Sequence, residues 1–221
     1  MSETHDAEAI PMRRAPQRAR GQQRVSAILD VAEDLLAEAG YEGMSTNEIA
    51  ARAGIPIGSI YQYFPNKEAI LHAAAARFRQ GFAELYDTLL VDGLVARPLP
   101  ELVDKLIGAI VEYGGQHFGV TRVILQGQAN PHVAAAAVGV QRDLLELVEA
   151  QLEARASHLP AARRSLVASV GITAVLALLS HAITLKQSAG HEEMLRIVQE
   201  AKRLLLAYLR AAVTSDEVAL S

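Results

Sequence analysis

Helix-stopping residues recur between residues 40 and 66 at such short intervals that only short helices fit between them. Gly40 and Gly54 favour the left-handed backbone that ends a helix, and Pro56 and Pro65 interrupt helical hydrogen bonding again. Residues 45–48 read STNE, which is a capping box and therefore the signal of a helix start. This arrangement predicts two short helices joined by a tight turn.

The rest of the chain is also predicted to be helical, because alanine is common, aromatic residues make up only 5% and alternating β-branched patterns are scarce. Caps and breakers divide it into about nine helices, an all-α chain with a small three-helix domain in front of a larger helical body. The predicted helices cover residues 24–39, 45–53, 56–63, 66–90, 99–118, a short piece bracketed by Gly119 and Gly127, 131–157, 161–187 and 191–213.

Three residues in the pair of short helices have the spacing of a helix-turn-helix: Ala50, Gly54 and Ile60. A small residue at 50 lets the helices approach, Gly54 permits the backbone of the turn, and Ile60 fills the core beneath the second helix. Such a unit places its second helix, the recognition helix, in the DNA major groove. A plain helical hairpin fits the same spacing, so the flanking residues have to distinguish the two.

The residues around the recognition helix favour DNA as the partner. Tyr61 and Tyr63 can offer hydroxyl groups to phosphates. Ser59 is a small donor beside them, and Gly58 lets the backbone lie close to the duplex. Lys67 stands in the first turn of the next helix, where a cation is unfavourable unless an anion such as a phosphate docks nearby.

The run YEGMSTNEIAARAGIPIGSIYQYFPNKEAIL, residues 41–71, resembles the DNA-binding domain of the TetR family of bacterial transcriptional regulators. The resemblance implies that Thr46 and Lys67 contact phosphates, while Tyr61 and Tyr63 position the recognition helix. It also implies a set of residues that face base edges: Ile57, Gly58, Ser59 and Gln62.

The chain departs from the family pattern at Pro56 and Ile57, where many relatives carry serine and lysine. Losing that lysine removes a cation from the groove and substitutes an apolar contact, which suits a thymine methyl group. Residues 12–24 contain five arginines and no acidic residue, and they predict a basic arm that reaches the phosphate backbone, with a merely solvated tail as the alternative. They are Arg13, Arg14, Arg18, Arg20 and Arg24.

These segments predict a chain of three parts. Residues 1–20 form a disordered basic arm, residues 21–66 the helix-turn-helix DNA-binding domain, and residues 67–221 a helical domain for effector binding and dimerisation. The formal net charge of -4 argues weakly against nucleic acid. A local basic patch matters more than the average, however.

Residues 165–185 carry no formal charge over a length that could cross a membrane. Polar residues interrupt the stretch, and neither tryptophan nor tyrosine marks its ends. We therefore predict a helix that is buried on all sides, and no membrane partner.

The last predicted helix has apolar residues in steps of four and three, which is typical of a coiled-coil seam. We predict that residues 161–187 and 191–213 pair with their copies in a second chain as a four-helix bundle. The resulting homodimer would match the two half-sites of a palindromic double-stranded DNA operator. Packing within one chain alone is the alternative. The seam residues are Met194, Val198, Ala201, Leu205, Tyr208 and Ala212.

The central helices carry a few polar and aromatic residues in a mostly apolar pattern, as ligand cavities do. In the TetR family these helices enclose an effector pocket, so the resemblance implies a small, apolar effector molecule. The candidate pocket residues are Phe82, Tyr86, Tyr113, His117, Phe118, Gln126 and His181.

No enzyme activity is predicted. The chain has no cysteine, which removes thiolate zinc sites and cysteine nucleophiles. Its seven histidines include no pair four residues apart around a glutamate and no repeated Glu-x-x-His, and no P-loop or dinucleotide fingerprint occurs. We expect no catalytic residue, no metal and no cofactor.

The sequence thus predicts a cytoplasmic bacterial regulator of transcription, a repressor that a small molecule releases from its operator. A DNA-binding protein without a small-molecule effector, acting architecturally or through a protein partner, is the alternative. Activation in place of repression also fits the sequence.

Overall fold

The computed structural model describes residues 19–91, 93–126, 130–188 and 190–214, and all regular structure in these ranges is helical. The predicted all-α class is confirmed, with nine α-helices and one short 3-10 helix in the described part of the chain. The α-helices are α1 Ala19–Gly43, α2 Thr46–Arg52, α3 Ile57–Tyr63, α4 Lys67–Val91, α5 Leu99–Gln116, α6 Phe118–Gln126, α7 Pro131–Arg155, α8 Ala161–Ser188 and α9 His191–Thr214, and the 3-10 helix is Leu94–Ala96.

The first helix begins earlier than predicted, at Ala19 instead of Arg24. Its last turn follows a break at Gly40, where the predicted stop takes the left-handed backbone with φ of 69°. The end of the predicted arm, including Arg20, therefore belongs to α1. The rest of the arm, residues 1–18, lies outside the described residues, as does the predicted boundary at Gly127.

The chain forms two compact units. The first consists of the described residues up to Phe82 together with Gly114–Val140, and the second of Ala83–Tyr113 together with the described residues from Gln141 onward. Helices α4, α5 and α7 each contribute residues to both units. The first unit therefore includes residues on both sides of the predicted functional boundary between residues 66 and 67.

The first unit has its core beneath one face of α1. Ile28, Leu35 and Leu36 are completely or almost completely buried, and their spacing places them on a single side of the helix. They pack in one cluster with residues of α2, α3, α4, α6 and α7. The core therefore fixes α1 as the support on which the two short helices rest.

Helix α6 approaches the backbone of α1 so closely that only glycine fits at the contact. A Cβ atom added at Gly119 would overlap the carbonyl oxygen of Glu33 and lie 2.9 Å from the backbone nitrogen of Ala37. Arg122 holds the same contact from the side, because it donates a hydrogen bond of 2.8 Å to the carbonyl oxygen of Ala37.

The second unit is built on α8 packed against α9. The contact is close at Gly171, where an added Cβ would lie 3.1 Å from Cδ1 of Leu205. Val198, Ala201 and Ala212, three residues of the predicted seam, are already buried within the single chain. They therefore offer little surface to a second copy, whereas Met194, Leu205 and Tyr208 of the same seam are half-buried.

A different set of apolar side chains on α8 and α9 is exposed: Leu166, Val170, Leu195 and Leu204, each more than two-fifths accessible. Within Ala161–Leu185 of α8, an 18-residue window has a mean hydropathy of 2.1, so the helix is long and apolar enough to cross a membrane. A core helix of a water-soluble protein can have the same length and composition. Only 39% of this window is buried, so the predicted burial on all sides is not met in the single chain.

Candidate nucleic-acid interface

The turn between α2 and α3 has the geometry that the sequence spacing predicts. Gly54 adopts φ of 64°, a left-handed backbone that favours glycine. The amide of Ile55 donates to the carbonyl oxygen of Ala50 at 3.0 Å, which closes the turn onto the end of α2. At the start of α2, the Ser45 hydroxyl accepts a hydrogen bond from the amide of Glu48, as a capping box requires.

Beneath the turn, Ile49, Ala50, Ile60 and Phe64 are buried. Because these side chains hold one face of α3 against the core, its other face must lie outward. That face carries Ile57, Gly58, Ser59, Tyr61 and Gln62, and it includes two large side chains with marked exposure, Ile57 at 36% and Tyr61 at 44%. A Cβ added at Gly58 would meet no atom within 4 Å, so the backbone there is open to a close partner.

Two hydrogen bonds tie the exposed face of α3 to neighbouring helices. The hydroxyl oxygens of Thr46 and Tyr61 lie 3.3 Å apart, which brings together two of the predicted phosphate-facing residues. Arg24 in α1 donates from Nη1 to the Ser59 hydroxyl at 3.2 Å. The sequence analysis counted Arg24 only as the last arginine of the basic run, and no local pattern connects it with a residue 35 positions later.

Lys67 lies beside Tyr41 at the start of α4. Its Nζ atom is 4.4 Å from the centre of the Tyr41 ring and donates to the Tyr41 carbonyl oxygen at 3.3 Å. Asn66 caps the N-terminus of this helix, because its side chain accepts from the amide of Ala69 at 2.9 Å. The ammonium group is thus held at a fixed place next to α3.

The sequence analysis did not identify the pair that supports Lys67. Tyr41 is buried and donates its hydroxyl proton to Oε1 of Glu68 at 3.0 Å. Burial raises the pKa of Tyr41 far above its usual value, and the Glu68 carboxylate raises it further. Burial acts to raise the pKa of Glu68, but the backbone, the Tyr41 hydroxyl and nearby cationic groups outweigh it and lower the pKa. Tyr41 therefore stays a neutral donor and Glu68 an anion.

The seven predicted pocket residues do not come together in one unit. Phe82, His117, Phe118 and Gln126 belong to the first unit, and Tyr86, Tyr113 and His181 to the second. His117 contacts Glu33 on α1 through Nδ1 at 2.9 Å and meets Phe78 edge-on. Tyr86 is buried and accepts a hydrogen bond of 2.9 Å from Nε2 of Gln151.

A cavity lies within the second unit, among α5, α7, α8 and α9. None of the seven predicted residues is part of its wall, although Gln151, the partner of Tyr86, is. The wall consists almost entirely of leucine, isoleucine and valine side chains, with Gln151 and Arg155 as the polar exceptions. Sequence reasoning missed it because aliphatic core residues give no signal that distinguishes a cavity wall from close packing.

No group of three or more histidine, aspartate or glutamate side chains that could hold a metal ion occurs in the ranges that the structure describes. The features that stand out chemically are therefore the exposed face of α3, with the hydroxyl and cationic groups around it, and the apolar cavity. A short helix that rests on a buried turn and presents such a face defines a helix-turn-helix protein of the nucleic-acid-binding class.

Sequence comparison identifies the family within that class. The family described as "Bacterial regulatory proteins, tetR family" matches residues 28–74, and the "Tetracyclin repressor-like, C-terminal domain" matches residues 98–209. The chain belongs to the TetR family, as the run at residues 41–71 indicated.

Curated relatives are similar over part of their length. The transcriptional regulator AcuR of Cereibacter sphaeroides is 34% identical over 100 residues, which cover 45% of this chain and 44% of AcuR. The HTH-type transcriptional regulator UidR of Escherichia coli is 28% identical over 116 residues, or 49% of this chain and 54% of UidR. The chain thus spans about half the length of the curated relatives it matches.

Solved structures share the fold over most of the chain. FadR from Bacillus halodurans, a fatty acid degradation regulator, matches with a TM-score of 0.63 and 21% identity over 85% of this chain and 96% of FadR. FadR from Bacillus subtilis, solved in complex with stearoyl-CoA, matches with a TM-score of 0.64 and 18% identity over 83% and 98%. At these identities the likeness concerns the fold.

Proposed function

We propose that this protein is a cytoplasmic transcriptional repressor that binds a palindromic operator as a homodimer and is released by a small apolar molecule. The observation that carries the proposal is the outward face of α3. Exposed Ile57 and the open backbone at Gly58 lie directly above a turn whose other side is buried. Because these residues are exposed, they add nothing to the core. The DNA major groove is wide enough to admit one α-helix, so α3 can enter it with this face towards the bases.

Base contacts are assigned to the outward face, Ile57, Gly58, Ser59 and Gln62. Ile57 stands where a lysine is common in the family, and its exposed apolar side chain suits the methyl group of a thymine. Ser59 is held by Arg24, which can also reach a phosphate when DNA is bound. Sequence preference therefore comes from a short apolar and hydroxyl surface and not from a bidentate arginine.

Phosphate contacts are assigned to Thr46, Tyr61, Tyr63 and Lys67. The Thr46 and Tyr61 hydroxyls lie within 3.3 Å of each other, so one phosphate could accept from both. Lys67 uses one donor on the Tyr41 carbonyl, and an ammonium group has three. Its remaining N–H groups are available to a second phosphate.

The proposed dimer uses α8 and α9, and its contact is centred on α8. Leu166 and Val170 are exposed in the single chain and, four residues apart, lie on one side of α8. A second copy that covered them would form a bundle of four helices and remove a large apolar area from water. In this proposal the functional parts remain the basic arm at 1–20, the DNA-binding domain at 21–66 and the effector and dimerisation domain at 67–221.

The effector site is assigned to the apolar cavity of the second unit. A molecule that binds there shifts the protein only if it binds the DNA-competent and DNA-free arrangements with different affinity. FadR from Bacillus subtilis was solved in complex with stearoyl-CoA, a molecule with a long apolar chain, and a chain of that kind would fit an apolar wall. A DNA-binding protein without an effector is the second candidate, because the described cavity is small.

Selection of bound duplexes from a random DNA pool by the purified full chain tests the proposal. We expect enrichment of a palindrome whose half-sites lie roughly one helical turn apart, about 34–36 Å. A protein with Gly58→Gln and Gln62→Ala is the control, because it alters the outward face without changing the core. Enrichment of no sequence, or of the same sequence by this control, would contradict the assignment of α3 as the reader.

A further inference from the structure

One hydrogen bond joins the first helix to the outward face of α3 and fixes the polarity of a hydroxyl group there. Arg24 of α1 donates from Nη1 to the Ser59 hydroxyl oxygen at 3.2 Å. Because arginine has N–H donors and no acceptor, this bond has only one possible direction. The Ser59 oxygen is therefore the acceptor, and the hydroxyl proton points away from Arg24.

The core beneath the two helices holds the pair together. Ile28, one turn after Arg24 on α1, and Ile60, which follows Ser59 on α3, are both completely buried. Both belong to one hydrophobic cluster, so packing fixes the backbone that carries each polar side chain. A serine has a single rotatable bond that moves its oxygen, which limits how far the Ser59 oxygen can move from the guanidinium group.

Neither group has another side-chain partner within the described ranges of the chain. Arg24 forms no ion pair with a described carboxylate, and the Ser59 proton is used in no further hydrogen bond there. A guanidinium group beside a hydroxyl oxygen polarises the hydroxyl, which strengthens it as a donor. The same positive charge repels a second N–H donor from that oxygen. Ser59 is thus prepared to donate a hydrogen bond and not to accept a further one.

We propose that Arg24 determines base specificity through Ser59, by holding the Ser59 hydroxyl as a hydrogen-bond donor towards the bases. This inference rests on the proposed function, in which Ser59 faces base edges, and it names the type of edge that Ser59 selects. Arg24 is exposed and Ser59 is half-buried, so both lie at the surface where the duplex would dock. Arg24 is the positioning residue of this pair, and Ser59 is the residue that touches the base.

The bases differ in the groups that they present to such a donor. In the major groove guanine presents two acceptors, N7 and O6, whereas cytosine presents its amino group, which is a donor. We therefore expect a guanine–cytosine pair in one fixed orientation at the position that Ser59 faces, with the guanine on the side of Ser59. A hydroxyl that is free to turn can bond to either base, so the discrimination depends on Arg24.

A phosphate contact by Arg24 is the alternative, and it makes a different prediction. Contacts with phosphates position a protein on the duplex and carry no sequence information. Loss of such a contact weakens binding to every duplex by the same factor and lowers the salt slope by about 1. The ratio of affinities for two duplexes that differ at one base pair separates the two roles, because a phosphate contact cancels from it.

The first step of the test locates the base pair. Duplexes are selected from a random DNA pool with the full-length wild type and with Ser59→Ala. We expect the two selected palindromes to differ at one position of each half-site, where the wild type enriches an oriented guanine–cytosine pair and Ser59→Ala enriches none. Identical palindromes, or a differing position without a guanine–cytosine pair, would overturn the proposal.

The second step compares affinities for the selected operator and for the same duplex with that pair inverted, by fluorescence anisotropy. Wild type should prefer the selected orientation about fivefold, the worth of one hydrogen bond, and Arg24→Met at most about twofold. An unchanged preference in Arg24→Met would leave Arg24 with a phosphate role only and contradict the proposal. A stronger preference would contradict it as well, because Ser59 would then accept from cytosine and the guanidinium group would oppose that contact.

Two further variants assign the effect to the pair. Arg20→Met removes the same charge from an exposed position one turn earlier on α1, so it should weaken binding to both duplexes equally and leave the preference unchanged. In the Ser59→Ala protein, Arg24→Met should not change the preference either. A loss of preference in Arg20→Met, or a change caused by Arg24→Met without the Ser59 hydroxyl, would show that Arg24 does not act through Ser59.

The same data separate this inference from the proposed function. A wild type that enriches a palindrome which Ser59→Ala enriches unchanged refutes this inference alone. A wild type that enriches no sequence refutes the proposed function, and this inference fails with it.

Discussion

At the scale of single residues, Lys67 depends on a neighbour that the sequence pattern does not reveal. The family motif identifies Lys67 and the start of its helix. Both can be predicted from the sequence because both depend on neighbouring residues. Its support comes from Tyr41, 26 positions earlier, and from the Glu68 carboxylate that fixes the Tyr41 hydroxyl. Such contacts between separate elements depend on how the helices pack, which no short run of residues encodes.

Replacement of Lys67 by glutamine should weaken binding to every duplex and leave sequence preference unchanged. If the ammonium group contacts one phosphate, the slope of log affinity against log salt should fall by about 1. Fluorescence anisotropy with the selected operator at several salt concentrations measures both effects. Lys105 is an exposed lysine of α5 in the second unit. Lys105→Gln removes the same charge and should change neither the affinity nor the salt slope. An unchanged slope in the Lys67 variant would exclude the phosphate contact.

His72 gives the first unit a dependence on pH. Burial lowers the pKa of His72 below its ordinary value of 6.5, His132 lowers it further, and Glu68 opposes the change. Below about pH 6.5 the unfolded chain therefore binds a proton that the folded chain resists. Stability should fall as the pH drops, by up to about 1.4 kcal/mol per pH unit.

Chemical denaturation of wild type and His72→Gln at about pH 8 and about pH 5.5 tests this sign. The wild type should lose more of its free energy of unfolding between the two conditions than the variant does. Because the loss in each protein is measured from its own free energy of unfolding at the higher pH, any effect of the substitution at that pH cancels. A larger loss in the variant would show that burial does not hold His72 neutral.

At the scale of elements, the sequence predicted the α2–α3 pair because its determinants are local. The Ser45 cap, the left-handed Gly54 and the buried Ile60 all lie within sixteen residues, and all three occupy their expected places. The contact of α6 with α1 was not predicted. It joins residues such as Arg122 and Ala37, 85 positions apart. The sequence analysis took Gly119 for a helix boundary, which is wrong, because Gly119 lies inside α6 and its missing side chain serves the contact with α1.

Ile57→Lys tests how α3 reads DNA. The added cation should strengthen binding to all duplexes and steepen the salt slope by about 1, while the preference at one base-pair position changes as the thymine contact is lost. Selection from a random pool reports the preference. Asn47→Lys, which adds the same charge on the exposed surface of α2, should raise affinity without altering the selected sequence. An unaltered selection by Ile57→Lys would remove Ile57 from the base-reading set.

Gly119→Ala tests the contact between α6 and α1. The added methyl group would overlap the Glu33 carbonyl, which is backbone and cannot move aside cheaply, so we expect a loss of about 2 kcal/mol or more in stability. Gly115→Ala is the matched control, because its Cβ would meet no atom within 4 Å. That substitution should be neutral or stabilising by up to about 1 kcal/mol. Equal melting temperatures for the two variants would contradict this packing.

At the scale of the whole molecule, the proposed assembly rests on the exposed apolar residues of α8 and not on the periodicity of α9. The apolar residues of α9 do recur in steps of four and three, but three of them, Val198, Ala201 and Ala212, are buried by contacts within one chain. Periodicity tells which side of a helix is buried and not which partner buries it. The sequence alone does not indicate that Leu166 and Val170 are exposed, because their exposure depends on which sides of the helices pack within the chain.

Leu166→Glu combined with Val170→Glu should separate the proposed dimer. Burial of unpaired carboxylates costs about 3 kcal/mol or more, which weakens association roughly a hundredfold or more. Sedimentation velocity measures the oligomeric state, and the affinity for a two-half-site operator should fall with it. Val138→Glu, an equally exposed apolar position on α7, should leave the dimer intact. A stable dimer of the double variant would place the interface elsewhere.

The discontinuous make-up of the first unit limits how DNA specificity can be transplanted between relatives. Val120, Val123 and Ile124 of α6 and Val133 of α7 share one core with α1, α2 and α3. A fragment that ends at Phe82 would leave that side of α1 without cover and would be expected to aggregate. A chimera that exchanges specificity must therefore carry two separate stretches of sequence, or else change only the outward residues of α3 and leave both stretches in place.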